Sequence, residues 1–412
     1  MNARGPRVHA PILAFGRMGD ALSIAGKPAS AWVAEAGGTP LFLYERAFLD
    51  QRLALLRAAM PAGLAIHYAV KANPFPPLVG HMASLCDGLD VASAGELALA
   101  LATGIKPHAI SFAGPGKSEA ELAEAAKAGV VIVLESEGEM QRLAAIASTL
   151  QGRPKVALRV NPDFALKSAG MHMGGGATAF GVDAETAPRL LRALADLPLD
   201  FMGLHIFAGS QNLNPEAIIE AQARTLDLAR RLSRDFPRPL RWLNIGGGFG
   251  VPYFPGDIHL DIAAVGAALA ARLAAHKAWL QDAEVVLELG RYLVAEAGVY
   301  LTRVIDRKVS RGVVFLVTDG GLHHQLAASG NFGQVVRRNY PLAVATRYGL
   351  PMAEEVNIVG RLCTPLDRLG DKVALPRADV GDIIAVFLAG AYGLSASPTG
   401  FLSHPAALEM LV

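Results

Sequence analysis

Eight short apolar runs separated by helical segments constrain this 412-residue chain most strongly. They are AIHYAVK (65–71), GLDVAS (88–93), AISFAG (109–114), VVIVLES (130–136), KVALRVN (155–161), FMGLHIF (201–207), RWLNIGGG (241–248) and EVVLELG (284–290). Each is rich in Val, Ile or Leu, and none alternates cleanly between apolar and polar residues. That is the pattern of parallel strands buried on both faces. The intervening stretches carry apolar residues at helical spacing, for example 119–128, 137–150, 184–197 and 215–236. Eight strand–helix units in succession predict an α/β fold, a (β/α)8 TIM-type barrel over 46–297.

Beyond residue 297 the pattern changes. GVYLTRVIDRKVS, VVFLVTDGG, EEVNIVGRLC, DKVALP and DIIAVFLAG read as strands with few helices between them. They predict a second, mostly β domain over 298–412. Strand-like pieces at 10–15 and 40–44 place residues 1–45 in the same domain, so the barrel is inserted within it. One barrel connection, 161–201, is long and contains MHMGGG at 171–176. Glycine there suggests a mobile or close-approach loop beside a site.

Composition narrows the function classes. Apolar residues make up 52% and charged residues 18%, as in a compact enzyme rather than a disordered chain. The net charge is +1 and no basic block offers a nucleic-acid surface. No apolar run reaches ~18 residues, so no membrane span is expected. The start lacks the apolar core of a signal peptide. Two cysteines, Cys86 and Cys363, provide no disulfide framework, and a reduced cytoplasm is the expected location.

In a barrel, active sites lie at the C-terminal ends of the strands. Lys71 ends the first run, just before Pro74 and Pro76 break the pattern. It reads either as a snorkelling strand-end lysine or as a desolvated amine able to form a Schiff base with an aldehyde cofactor. Gly246, Gly247 and Gly248 follow the seventh run, and form either a tight turn or a cradle of backbone N–H groups for a phosphate. Glu288 and Arg291 close the eighth run. They are either a surface pair or a division of labour, with Arg291 on a phosphate and Glu288 on a protonated pyridine nitrogen. Aldehyde-binding lysine, phosphate cradle and pyridinium carboxylate together describe a pyridoxal 5'-phosphate site.

With these residues in place, the chain resembles the fold-type III pyridoxal phosphate family, in its decarboxylase branch. The matching strings are YAVKAN (68–73), DVASAGEL (90–97), GSQ (209–211), GGGFG (246–250), ELGR (288–291), LCTPLD (362–367) and GAYG (390–393). They span nearly the whole chain in the family's order. The resemblance implies that Lys71 is the Schiff-base lysine. It implies that Gly246, Gly247, Gly248, Ser210, Arg291 and Tyr392 bind the phosphate, and that Glu288 pairs with the pyridine nitrogen. It further implies a homodimer in which Cys363 reaches the partner's site and returns a proton after carbon dioxide leaves. The alternative for Cys363 is an inert buried thiol. A carboxylate at 288 keeps the pyridine charged and the ring a strong electron sink, which suits decarboxylation. The racemase branch, by resemblance, has an arginine there.

The chain also departs from the family. Where the branch stacks a histidine on the cofactor ring, this sequence has Phe207, with His205 two residues earlier on the same strand face. His205 is either a site residue or a satisfied barrel histidine. Where an acidic residue usually follows the cysteine and holds a distal amine, this sequence has Thr364. Asp319 remains a candidate for the substrate's distal group or for an interface pair. His323 and His324 follow it, but two adjacent histidines make a poor metal site, and no metal is assigned. These departures, with NIGGGFGVPYF (244–254), DGGLHH (319–324) and GAYGLSASP (390–398), resemble a narrower subgroup, the butirosin-type decarboxylases and similar proteins of exosortase clusters. The butirosin type acts on a glutamyl group tethered to an acyl carrier protein, so the resemblance implies an acyl carrier protein as partner. Alternatives are decarboxylation of a free diamino acid, a racemase on the same cofactor, a non-catalytic cofactor carrier, or a cofactor-free phosphate-sugar enzyme. The long β region argues against the carrier, and Lys71 and Glu288 against the cofactor-free enzyme.

Overall fold

A computed structural model describes residues 10, 12, 15–165, 170–172, 174–332, 334 and 337–412. The chain divides into two compact units. One comprises Gln51–Val251 and His259–Leu293; the other comprises Met1–Asp50, Pro252–Ile258 and Val294–Val412.

The first unit is a closed parallel barrel. Its strands are β1 (Ala65–Ala69), β2 (Gly88–Val91), β3 (Ile110–Phe112), β4 (Val131–Leu134), β5 (Lys155–Asn161), β6 (Asp200–Ile206), β7 (Trp242–Gly247) and β8 (Glu284–Leu289). They pair in chain order, and β8 pairs with β1 to close the sheet. Closure leaves no exposed edge. All eight apolar runs form strands, but most strands stop one or two residues before the run ends. The trailing residues serve other ends. Ser93 and Ser136 cap the next helices, each accepting a hydrogen bond from the backbone N–H three residues on.

Ala65, Ala113, Val131, Val133, Ala157, Trp242 and Val286 form one buried apolar cluster of the barrel. The barrel strands also bury a polar set. His67, Asp90, Ser111, Arg159, His205, Asn244 and Glu288 are all buried. Barrel interiors are usually filled by Val, Ile and Leu. Buried polar groups carry a desolvation cost, so these residues mark where chemistry, rather than packing, has set the sequence.

The second unit is built around the long strand Gly298–Ser310. It runs antiparallel to Leu41–Tyr44, to Ile383–Phe387 and to Val313–Thr318. Leu408–Leu411 pairs in parallel with Leu41–Tyr44. N-terminal and C-terminal segments thus share one sheet. The strand-like piece at 10–15 falls partly outside the described residues, and Ala10, Ile12 and Phe15 lie outside any strand. Phe15 is apolar because its ring packs on Phe48 and Phe387, at centroid distances of 5.0 and 5.5 Å. Among the described residues, no helix is long and apolar enough to cross a membrane.

Candidate active site

Lys71 does not end β1. It sits one turn further on, in the 3-10 turn Val70–Ala72, whose closing bond runs from Asn73 N–H to the Val70 carbonyl at 3.0 Å. Pairing of β1 with β8 stops at Tyr68, opposite Leu289, so the chain is free to turn there. Tyr68 donates its hydroxyl to the Asn73 carbonyl at 2.8 Å and fixes the turn. The Lys71 side chain remains 42% exposed, yet its Nζ lies 3.1 Å from Glu288 Oε1 and 3.6 Å from Asp90 Oδ2. One cation at the barrel mouth faces two buried carboxylates.

The two carboxylates are driven apart. Burial pushes the Glu288 carboxyl up, but the Lys71 ammonium and the His205 ring outweigh it and hold the group ionised, well below the usual carboxylate range. Asn244 Nδ2 also donates to Glu288 Oε2 at 3.2 Å. Asp90 goes the other way. Burial, and then the Glu288 charge, raise it well above its ordinary value, against the pull of Lys71 and the Ser111 hydroxyl. Ser111 donates to Asp90 Oδ1 at 2.9 Å. Two carboxylates sharing one site cannot both ionise cheaply, so the site favours the proton on Asp90 and the charge on Glu288. Asp90 was not among the residues singled out from the sequence. A lone acid inside the apolar run GLDV was the available signal.

Two histidines flank Glu288. His205 Nε2 lies 3.1 Å from Glu288 Oε2, outside the alignment of a well-formed hydrogen bond. Burial lowers its pKa, and Glu288 opposes the shift. His67 is paired in register with Glu288 on one side and Gly88 on the other. A Cβ at 88 would lie 2.3 Å from His67 Nε2, so the imidazole requires glycine there. Burial lowers His67 to about 4 from 6.5. The unfolded chain therefore takes up a proton near pH 6.5, while the folded chain waits until about pH 4. Stability is lost as pH falls through that window, by about 3 kcal/mol from this group. In His67→Gln, the decline in Tm of the apoprotein between pH 6.5 and 4 should be visibly shallower; an unchanged slope would assign the acid sensitivity elsewhere.

The glycine turn lies beside this cluster. Gly246 and Gly248 have φ of +71° and +77°, which favours glycine. A Cβ on Gly246 would lie 2.9 Å from the Ile206 carbonyl oxygen, and one on Gly248 would lie 2.2 Å from that of Gly209. Asn244 Oδ1 accepts from Gly246 N–H at 2.8 Å, so the residue that touches Glu288 also sets the turn. Gly248 returns a carbonyl to Asn212 N–H at 3.0 Å. Gly248→Ala meets both the backbone conformation and the Gly209 carbonyl. A loss of about 2–4 kcal/mol is expected, readable in urea unfolding; a loss below ~0.5 kcal/mol would show that the turn is not tight.

Ser210 lies in the two-residue strand Gly209–Ser210, which pairs with Met171–His172 of the long connection. Asn161 anchors the same connection, donating to the Gly176 carbonyl and to Asp183 at 2.9 and 2.8 Å. Met173 of this connection lies outside the described residues. Phe207 follows β6, with its ring centroid 6.5 Å from that of His205. Arg291 opens the helical turn after β8. Behind these, Glu135 binds Arg159 at 2.7 Å and the N–H groups of Gly114 and Gly181. Lys117, itself buried, donates to Glu139 and to the Gly114 and Val133 carbonyls, each at 2.8 Å.

The remaining sequence-derived residues belong to the β unit. Asp319 is the candidate for a substrate's distal group or an interface pair. Its carboxylate accepts from the Thr39 and Thr302 hydroxyls and from Arg303 N–H. Cys363 is exposed rather than buried, on a turn where Thr364 Oγ1 accepts from Leu366 N–H at 3.3 Å. The buried thiol is Cys86, which burial pushes up to about 12. Tyr392 holds φ of +53°, strained for a non-glycine residue. His323 is buried, with its ring centroid 3.8 Å from that of His324.

Comparison with known proteins places this geometry. Residues 46–295 match the family model described as pyridoxal-dependent decarboxylase, pyridoxal binding domain. The chain is 38% identical over 379 residues to L-glutamyl-[BtrI acyl-carrier protein] decarboxylase of Niallia circulans, covering 90% of this chain and 88% of that protein. It is 30% identical to 2-[(L-alanin-3-ylcarbamoyl)methyl]-2-hydroxybutanedioate decarboxylase of Staphylococcus aureus, over 88% of this chain and 92% of the relative. The structure of diaminopimelate decarboxylase from Helicobacter pylori complexed with L-lysine superposes with a TM-score of 0.81 at 28% identity, covering 93% of this chain and 94% of that one. The chain with the Lys71–Glu288 pair at its barrel mouth belongs to the pyridoxal phosphate-dependent decarboxylase family.

Proposed function

We propose that this decarboxylase removes the α-carboxylate of an L-glutamyl group tethered to an acyl carrier protein, releasing carbon dioxide and leaving the amine on the carrier. The observation that carries this reading is Thr364. The position offers a hydroxyl, already engaged with Leu366 N–H, rather than a carboxylate for a distal ammonium. Asp319 is spent on Thr39, Thr302 and Arg303. Asp367 is buried and spent on the Leu322 and Leu362 N–H groups. A distal cation without a carboxylate partner costs several kcal/mol, whereas a tethered acyl chain brings none. The 38% identity to a decarboxylase of such a substrate supports the same choice.

The residues present fit the cofactor. A cradle that a Cβ would fill suits an anion, and an ionised buried carboxylate suits a pyridinium. Gly246, Gly247, Gly248, Ser210, Arg291 and Tyr392 would hold the phosphate, Phe207 would stack on the ring, and Lys71 would bond the aldehyde. When bound, the cofactor supplies an electron sink for the bonding pair left as carbon dioxide departs. Glu288 keeps a proton on the ring nitrogen. His205 and Asn244 orient Glu288, and the upward shift of the Asp90 carboxyl limits a second charge competing for Lys71. Phe207 cannot carry a proton, so the returning proton comes from elsewhere; Cys363 of a partner subunit is the donor.

Exposure of the Cys363 thiol supports a cytoplasmic homodimer with shared sites. Mixing inactive Lys71→Ala and Cys363→Ala subunits should restore roughly a quarter of the sites, because half the dimers are hybrids with one intact site each. No recovery would leave each subunit self-sufficient.

The second reading is a free diamino acid decarboxylase, favoured by the fold match to an enzyme holding L-lysine. The two separate on kcat/KM for a glutamyl-carrier thioester against ornithine, lysine and diaminopimelate. The carrier-linked substrate should be preferred by at least ~100-fold, on the cost of an unpaired distal cation. Efficient turnover of a free diamino acid with the thioester inert would overturn the proposal.

A further inference from the structure

The geometry points to Gln222 as a positioning residue that, through one buried water, braces the glycine cradle from behind. Gln222 lies on α1 (Pro215–Leu232), the helix that follows the Gly209–Ser210 strand. Ile218, Gln222 and Thr225 recur at helical spacing on the face turned to the barrel and are all buried. A glutamine in the middle of that stripe is costly unless both ends of its amide are satisfied. Gln222 is 6% exposed, and neither its Nε2 nor its Oε1 has a hydrogen-bond partner within the chain.

The amide lines a small cavity. Its walls are Ala208, Gly209, Ile218, Gln222, Ile245 and Gly247, with Ala221 and Thr225 completing it, and its volume is about 20 Å³. A single water needs roughly 10–15 Å³ and two to four polar partners. The amide supplies a donor and an acceptor. Gly209 and Gly247, which line the same cavity, have only backbone to offer it, and both belong to the segments that form the cradle's other face. Gly209 and Gly247 carry no side chain that could fill the space. A Cβ on Gly247 would lie 2.1 Å from the Glu288 carbonyl oxygen, so the cavity cannot be closed from that side. Water held by Gln222 therefore substitutes for packing, fixing two backbone segments whose N–H groups must face an anion. Such bridging waters are enthalpically close to direct hydrogen bonds.

This inference rests on the cradle being the phosphate site, and the test separates the two. Gln222→Met keeps the volume and removes the polar ends. In the apoprotein it should weaken binding of pyridoxal phosphate and of inorganic phosphate by the same factor, about five- to tenfold for one lost bridge. The apoprotein Tm should stay close to that of wild type, because Met fills the same space and needs no polar partner. A crystal structure of the wild-type apoprotein should show one ordered water within hydrogen-bond reach of the Gln222 amide. A dry cavity, phosphate affinities within twofold of wild type, or a loss of affinity matched by a loss of Tm would each overturn the role of Gln222. If Gln222→Met does not fold, the wild-type cavity still decides. If Gly248→Ala folds and leaves phosphate affinity unchanged, it is the cradle itself that is misassigned, whatever Gln222 does.

Discussion

Lys71→Ala should yield a folded, colourless protein whose turnover is lower by a factor on the order of 10³ or more. The fold should survive because the turn carrying Lys71 is closed by backbone, from Asn73 N–H to the Val70 carbonyl, and by the Tyr68 hydroxyl. The side chain is 42% exposed, so its loss opens no core cavity. The electrostatics would change more. Lys71 pulls Glu288 down and Asp90 down. Without it, burial acts on both carboxylates unopposed by the nearest cation, and Glu288 should begin to take up a proton at higher pH. Lys71→Arg would test the charge separately from the amine. It should restore an ionised Glu288 but not the colour or the activity. Full activity in Lys71→Ala would remove the residue from the chemistry.

Glu288→Gln should cut turnover by about 10²–10³-fold while changing cofactor affinity by only a few-fold. The glutamine can still meet Lys71 and Asn244, so the local packing holds. What it loses is the charge that would keep a ring nitrogen protonated. The same change should act on Asp90. Its pKa is raised first by burial and then by the Glu288 charge; with that charge gone, Asp90 should ionise at lower pH and pair with Lys71. The mutant's residual activity should therefore show a pH dependence displaced toward acid. Unchanged turnover would make Glu288 a structural acid.

The eight strands could be read from the sequence because a strand buried on both faces must be apolar along its whole length, whichever partner it finds. His205 and Glu288 could be read as strand-end residues for the same reason, and Lys71 as the residue closing its run; the structure brings Lys71 and His205 together on Glu288. What could not be read was register. His67 faces Glu288 and Gly88, and Asp90 faces Ser111, only because β8, β1, β2 and β3 align at those pairs. No periodicity within one strand encodes that alignment. The partners of Asp319 could not be read for a similar reason: Thr39 and Thr302 lie 280 and 17 positions away. The position of Lys71 beyond its strand shows how pairing, rather than hydrophobicity, ends an element. Gln222 sits in an otherwise apolar helical stripe, and only the cavity beside it gives the residue a purpose.

The most direct measurement is a peptide map of the holoenzyme after borohydride reduction. Reduction should abolish the visible absorbance and fix the cofactor on one lysine. Trypsin should then fail to cut after Lys71, and the cofactor mass should reside on the peptide containing YAVKAN. Label on any other lysine, Lys117 included, would contradict the assignment of Lys71 and of the barrel mouth as the seat of decarboxylation.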